Sequence, residues 1–221
     1  MPAAQQSHPQ IGDLSQTTLA VIAGGRGERM GLPKSHLRFQ QQPILEWLLR
    51  RMRWPGPTLL VTAPAVAHPP AADLFDREAI DPVDGLGPLR GLLTALEESF
   101  TPIVAVITVD MPMVRAPLLA RLVEVLTAQP ETRGVMCRVA GQEKCRIEPF
   151  PSAFRREARE EIAVRLGAIE NSVQALAALP GFLALGAPPE WPASTWTNLN
   201  TPAEFAAFDR LLEDPISKAN E

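Results

Sequence analysis

Apolar positions in this chain fall into short runs separated by longer stretches where they recur every three or four residues. The runs at residues 19–23, 58–62, 103–108 and 134–138 are too short for helices and end in glycine, proline or polar residues. Each therefore predicts a strand buried on both faces, and residues 78–81 predict a further short one. Between them, residues 43–53 set Ile44, Leu45, Leu48 and Leu49 on one face, with Arg50, Arg51 and Arg53 forming a solvated one. Residues 89–100 and 117–128 have the same helical spacing, the second with Pro117 in its first turn. Strands alternating with crossover helices imply a mostly parallel sheet covered on both sides, a Rossmann-like αβα sandwich.

The pattern loosens after Cys145. Residues 147–154 read as extended, 155–166 as a charged helix and 173–179 as a short apolar helix, after which prolines at 180, 188, 189 and 192 predict loops. A final helix at 202–213 follows Thr201 as N-cap and directs Phe205, Phe208, Leu211 and Leu212 to the core. The expected organisation is a polar leader at 1–17, one domain at 18–213 and a tail at 214–221. The sequence contains no internal repeat.

Composition narrows the classes. The 221 residues are 46% hydrophobic and 21% charged with a net charge of −4, as in a globular enzyme and unlike a nucleic-acid coat. No apolar run approaches the roughly 20 residues that span a bilayer. The N-terminus lacks a secretory signal pattern, so a cytoplasmic protein with two free thiols, Cys137 and Cys145, is expected. His8, His36 and His68 are isolated in sequence, and Trp47, Trp54, Trp191 and Trp196 are assigned to packing. No Gly-x-Ser-x-Gly elbow is present.

Against this acidic background one segment stands out. Residues 19–34, LAVIAGGRGERMGLPK, carry a strand into a glycine-rich loop with Arg26, Arg29 and Lys34. Glycines let backbone N–H groups close on an anion, and three cations suit a triphosphate. The P-loop pattern is absent because Lys34 follows proline, and the dinucleotide fingerprint fails because Met30 stands where its third glycine belongs. Ligands of open parallel sheets collect beyond the carboxyl ends of strands. That directs attention to Asp110, which follows the 103–108 run, and to the turn-rich stretch from Asp81 to Gly91. An aspartate at a strand end suits Mg²⁺ shared with substrate phosphates, although Asp110 could equally cap its turn. Alternation places Asn198 and Asn200 on one side of an extended segment, where Thr201 and Glu204 also form a capping box.

Residues Ala23, Gly24, Gly25, Arg29, Met30, Gly31 and Lys34 resemble the opening motif of nucleotidyltransferases with a glycosyltransferase-A-like fold, most closely the molybdenum cofactor guanylyltransferases. Three later segments extend the resemblance: Asp110 with Pro112, the Gly87-Pro88-Leu89-Arg90-Gly91 turn, and Asn198-Leu199-Asn200-Thr201-Pro202. The resemblance implies Mg²⁺-dependent transfer of GMP from GTP to molybdopterin or the molybdenum cofactor, with cofactor-delivery proteins and molybdoenzymes as partners and neither nucleic acid nor membrane involved. It further implies catalytic roles for Arg29, Lys34 and Asp110, with Asp110 as metal ligand. Ala23, Gly24, Gly25, Lys34, Thr62, Asp81, Gly87 and Asp110 would bind nucleotide, while Asn198 and Asn200 would serve the acceptor side.

Asp84 is the alternative to Asp81. The sequence departs from the family twice. Thr62 stands where an asparagine is usual, and Lys144-Cys145-Arg146-Ile147-Glu148-Pro149 occupies the region where a histidine-proline pair is common. The double glycine resembles the guanylyl branch, the cytidylyl branch usually having alanine-alanine-glycine. The rivals are a cytidylyltransferase, a sugar-phosphate nucleotidyltransferase and a non-catalytic nucleotide-binding protein.

Overall fold

A computed structural model describes residues 13–24, 30–64, 66–140, 145–188 and 191–213, and side chains as far as residue 211. The leader up to residue 12, the tail from 214, His8, Gly25, Arg26 and Arg29 lie outside the described residues.

The first strand, β1 (Thr17–Ile22), is buried at all six positions. It starts two residues before the apolar run because its threonines find partners inside the protein. Thr18 N–H donates to Thr101 Oγ1 at 2.8 Å, the two hydroxyls lie 2.7 Å apart, and Ser99 Oγ donates to Thr18 Oγ1 at 3.1 Å. Buried polar groups so paired cost little, and hydropathy does not reveal them. A hairpin of β2 (Arg38–Phe39) and β3 (Gln42–Pro43) follows, with Gln40 and Gln41 in the left-handed region. It leads directly into α1 (Ile44–Met52).

Next come β4 (Thr58–Thr62), β5 (Arg77–Ile80), α2 (Pro88–Glu98), β6 (Ile103–Thr108) and α3 (Ala116–Ala128). Then follow β7 (Gly134–Val139), β8 (Arg146–Arg155), α4 (Arg159–Gly167), β9 (Phe182–Gly186) and α5 (Pro202–Glu213).

Seven strands form one sheet in the order β5-β4-β1-β6-β8-β7-β9. The β5, β4, β1 and β6 strands are mutually parallel, β8 runs antiparallel to β6 and β7, and β9 is parallel to β7. Every residue of β4 is buried as well, so both faces of the sheet centre are covered. The chain winds outward from β1 to β4 and β5, then returns across to β6. The β1/β6 boundary is therefore the point where strand order reverses and a ligand crevice opens.

Several expectations are corrected. The charged helix begins at Arg159 after a 3₁₀ turn at Arg156–Ala158, and the apolar segment near 173–179 is a 3₁₀ helix at Gln174–Ala178. The proline-bounded region contains β9. In α5, Phe205 stacks on Phe39 at 4.6 Å and Phe208 lies 5.1 Å from the same ring, but Leu211 is 60% exposed. Arg51 is not solvated: its guanidinium sits 4.7 Å over Trp47. His68 is not isolated, since its Nδ1 lies 3.0 Å from Glu78 and its Nε2 lies 3.3 Å from Asp73. Cys137 is buried in β7, Cys145 is exposed, and both are free. Among the described residues no helix is long and apolar enough to cross a membrane.

Candidate active site

Three elements converge beyond the carboxyl ends of β1 and β6. Lys34 opens a 3₁₀ turn at Lys34–His36, Asp110 follows β6, and Asn200 precedes α5. Lys34 Nζ lies 2.6 Å from Asp110 Oδ2 and donates to Asn200 Oδ1 at 2.7 Å. The Lys34 and Asp110 side chains are each 18% exposed, which leaves the pair open to a ligand yet only partly screened.

Backbone geometry fixes this arrangement. Val109 N–H donates to the Ile22 carbonyl at 3.0 Å, joining the β6 exit to β1. Leu199 N–H donates to the Asp110 carbonyl at 2.9 Å, joining the asparagine segment to the same turn. Leu199 is buried, so Asn198 and Asn200 face outward as the alternation predicts. The Glu204 carboxylate accepts the N–H groups of Asn200 at 2.8 Å and Thr201 at 2.9 Å, and Thr201 Oγ1 accepts the Glu204 N–H at 3.2 Å. This capping box orients the Asn200 backbone, and the Asn200 N–H bond is the leading reason the Glu204 carboxyl lies below its ordinary pKa. Capping and site-building are thus one structure.

A second cluster lies where β1, β4 and β5 end. Asp81 is 7% exposed, and its N–H donates to the Thr62 carbonyl at 2.8 Å. Methyl groups placed on Gly24 or Gly91 would each sit 3.7 Å from Asp81 Oδ2, so both glycines adjoin the carboxylate. Asp81 Oδ1 is buried without a hydrogen-bond partner. Burial raises its pKa, opposed by the Thr94 hydroxyl and then the Arg90 guanidinium, whose Nε is 3.9 Å from Oδ1. An orphaned buried carboxylate oxygen beside two glycines is suited to receive N–H or O–H donors from a ligand. Gly87 precedes α2 with φ 73°, a conformation glycine adopts without strain, and a methyl there would meet nothing within 4 Å. No side chain caps α2; Pro88 has no N–H and the Arg90 N–H donates to the Gly87 carbonyl at 3.2 Å, so it is the Leu89 N–H and the positive end of the helix dipole that suit an anion.

Of the predicted residues, Lys34, Asp110 and Asn200 are in direct contact, and Asn198 lines the same cavity. Ala23, Gly24, Asp81 and Gly87 lie at the adjoining strand ends. Thr62 enters through its backbone instead, because its hydroxyl donates to Glu78 Oε1 at 3.2 Å. Asp84 is half-buried in the following loop, whereas Asp81 is buried and adjoins Gly24 and Gly91.

Two residues were missed by sequence reasoning. Thr108 Oγ1 donates to Asp110 Oδ1 at 2.6 Å and sets the carboxylate's rotation. Its signal was its position two residues ahead of Asp110. Glu148, 7% exposed, lines a cavity of about 220 Å³ together with Pro88, Thr108, Asp110, Asn198 and Asn200. Its signal was the departure from histidine-proline. Burial first, and the Glu148 charge second, push the Cys137 thiol up to about 12, so this cysteine stays a neutral packing residue.

The donors around Asp110 are carboxylate and amide oxygens, the hard ligands that Mg²⁺ and Mn²⁺ prefer. Among the described residues there is no cluster of three or more His, Cys, Asp or Glu side chains that could hold a metal alone. The donor set fits a divalent ion that completes its shell with phosphate and water.

The chain is similar to several known proteins. A probable molybdenum cofactor guanylyltransferase of Geobacillus sp. (strain WCH70) is 26% identical over 193 residues, 84% of this chain and 94% of that protein. The crystal structure of molybdopterin-guanine dinucleotide biosynthesis protein A from Archaeoglobus fulgidus superposes with a TM-score of 0.69 at 18% identity, covering 89% of this chain and 98% of that one. A Mycobacterium tuberculosis protein solved in complex with manganese has a TM-score of 0.55 at 20% identity, covering 90% and 99%. The model of the MobA-like NTP transferase domain matches residues 19–179. With that match over most of the sheet, and with lysine, aspartate and asparagine meeting where the strand order reverses, the chain belongs to the MobA-like NTP transferase family and is a nucleotidyltransferase.

Proposed function

We propose that this nucleotidyltransferase is a molybdenum cofactor guanylyltransferase, moving GMP from GTP to the terminal phosphate of molybdopterin or its metal-loaded form and releasing pyrophosphate. The observation that carries the reading is the contact of Lys34, Asp110 and Asn200 at the β1/β6 crevice, taken with the guanylyltransferase relatives.

Phosphoryl and nucleotidyl transfer depend chiefly on positioning and on offsetting charge. The acceptor phosphate is already ionised, so it can attack the α-phosphorus without a protein nucleophile, while the bond to the β-phosphate oxygen breaks and pyrophosphate leaves. Backbone N–H groups of the Ala23-Gly24-Gly25 loop and the open end of α2 would hold phosphates. Lys34, with Arg29 from the same motif, would offset charge on the departing pyrophosphate. The Lys34 ammonium contacts Asp110 in the ligand-free protein and would turn to the phosphates when nucleotide arrives. Asp110, held by Thr108, would be the protein's carboxylate ligand to Mg²⁺, with Asn200 beside it. Mg²⁺ would polarise phosphate oxygens and neutralise their charge. Asp81 and Gly87 would receive the nucleoside, and Asn198 would face the acceptor. A cytoplasmic setting suits such a reaction.

The test is incubation of the full chain with Mg²⁺, molybdopterin and GTP, CTP, ATP or UTP, followed by mass analysis. The guanine dinucleotide should form in excess over all others. Absence of a dinucleotide, or preferential use of CTP, would overturn the assignment.

A further inference from the structure

Glu148 occupies an unusual position for a carboxylate. The site transfers polyanions, yet a second buried acid lines the cavity that contains Asp110. The two Asp110 oxygens are taken by Lys34 and Thr108. Glu148 Oε1 pairs with Arg146 Nε, whose side chain is 62% exposed on the outer side, and among the described residues no hydrogen bond reaches Oε2. Among the described residues one carboxylate oxygen of this cavity-lining side chain is therefore left to accept a hydrogen bond.

The fold goes out of its way to place it there. On one side of β8, Ala153 pairs with Val135 and Glu148 pairs with Cys137. Residues 149–152 of β8 therefore stand against Met136 alone, a large bulge in a strand at the heart of the sheet. Pairing with β6 stops at Ser152, and both Pro149 and Pro151 fall in the unpaired stretch. Bulges of this kind re-aim side chains next to active sites, and here Glu148, Pro149 and Phe150 become cavity wall.

A carboxylate in that wall repels phosphate, so the group it receives is a hydrogen-bond donor. A free oxygen accepts N–H or O–H donors, and charge-assisted bonds of this type are roughly twice as strong as neutral ones. We propose that Glu148 is an acceptor-selecting residue that binds the N–H edge of the acceptor's heterocycle. For a molybdopterin acceptor that edge is the 2-amino and N3–H pair of the pterin, and this assignment rests on the guanylyl-transfer reading. Guanine carries a similar edge, but the orphaned Asp81 oxygen already provides a place for nucleotide donors across the β1 end.

The test uses the full chain and its E148Q and E148D variants, with thermal unfolding to show that each is folded. Fluorescence titration with 6-hydroxymethylpterin in the presence of GTP should show saturable binding by the natural protein. Binding should weaken about tenfold or more in E148Q and less in E148D, which keeps the charge. GTP and Mn²⁺ affinities should change much less than the pterin affinity, because the bond removed is made to the acceptor heterocycle and not to the nucleotide.

The inference falls if the natural protein does not bind the pterin, if E148Q binds it equally well, or if E148Q loses GTP or Mn²⁺ affinity in parallel. Dinucleotide synthesis is measured separately. Product formation with no pterin sensitivity at Glu148 refutes this inference alone, whereas Glu148-dependent pterin binding with no dinucleotide refutes the transfer reading alone.

Discussion

Replacing Asp81 with asparagine should make the ligand-free protein more stable near neutral pH while weakening its hold on nucleotide. Asp81 is 7% exposed, and its Oδ1 lacks a hydrogen-bond partner. An unsatisfied buried acceptor costs about 1–3 kcal/mol, more when charged. Arg90 offsets part of that from 3.9 Å, but its guanidinium also serves Thr94 at 3.0 Å and Glu97 at 2.8 Å. The raised pKa gives the sign of the balance, since burial outweighs the Thr94 and Arg90 contributions.

The folded protein then binds more protons than the unfolded chain between the ordinary value of 3.8 and the raised folded value. Stability therefore falls as pH rises through that window, and the penalty is fully present above it. Asp81→Asn removes the buried charge, with an expected gain of about 1 kcal/mol, or about 2–4 °C in Tm for a chain of this size. Urea unfolding of both proteins should show the gap at neutral pH and its closure as pH falls towards 3.8. KM for GTP should rise in the same variant. A variant less stable than the natural protein at neutral pH, or a gap that ignores pH, would refute the reasoning.

Lys34→Ala and Asp110→Ala should each lower the rate of pyrophosphate release by about a hundredfold or more, as the loss of a charge aimed at the transition state does; near-normal turnover in both would sink the mechanism. Gly24→Ala should leave thermal stability within about 0.5 kcal/mol, because its methyl would meet Ala63 and Asp81 only at 3.5 Å and beyond. Its effect should appear instead in the ratio of GTP to CTP use, and an unchanged ratio would remove the double glycine from nucleotide choice. Gly134→Ala should cost about 1–3 kcal/mol by overpacking, since its methyl would lie 2.4 Å from the Phe154 ring and 2.9 Å from Phe182; denaturant unfolding reads this directly.

How much of this protein its sequence displays depends on which physical effect builds each part. The strands β4 and β6 and the helix α5 have the predicted bounds, because a strand buried on both faces is a bare apolar run and a capping box marks a helix start chemically. Asp110 was legible for the same reason, standing just beyond β6 where an open sheet gathers its ligands, whereas Lys34 was marked as the closing cation of a glycine-rich loop and Asn200 by its place just before a helix cap. What hydropathy hid was held by polar pairing or by partners distant in sequence. Thr18 reads as a boundary residue until Ser99 and Thr101 come to meet it. The strand β9, framed by prolines, forms by adding to β7. Glu148 is the sharpest case. Its segment reads as extended and is a strand, but proline is rare inside central strands, and nothing in the charge of Glu148 or the two prolines after it tells that the carboxylate lines a cavity. Yet β8 is central, and the bulge that accommodates the prolines is what turns the carboxylate into the cavity. The extended reading gives the strand, while the register shift that places Glu148, Pro149 and Phe150 in the cavity wall depends on pairing with β7, which the local sequence does not display.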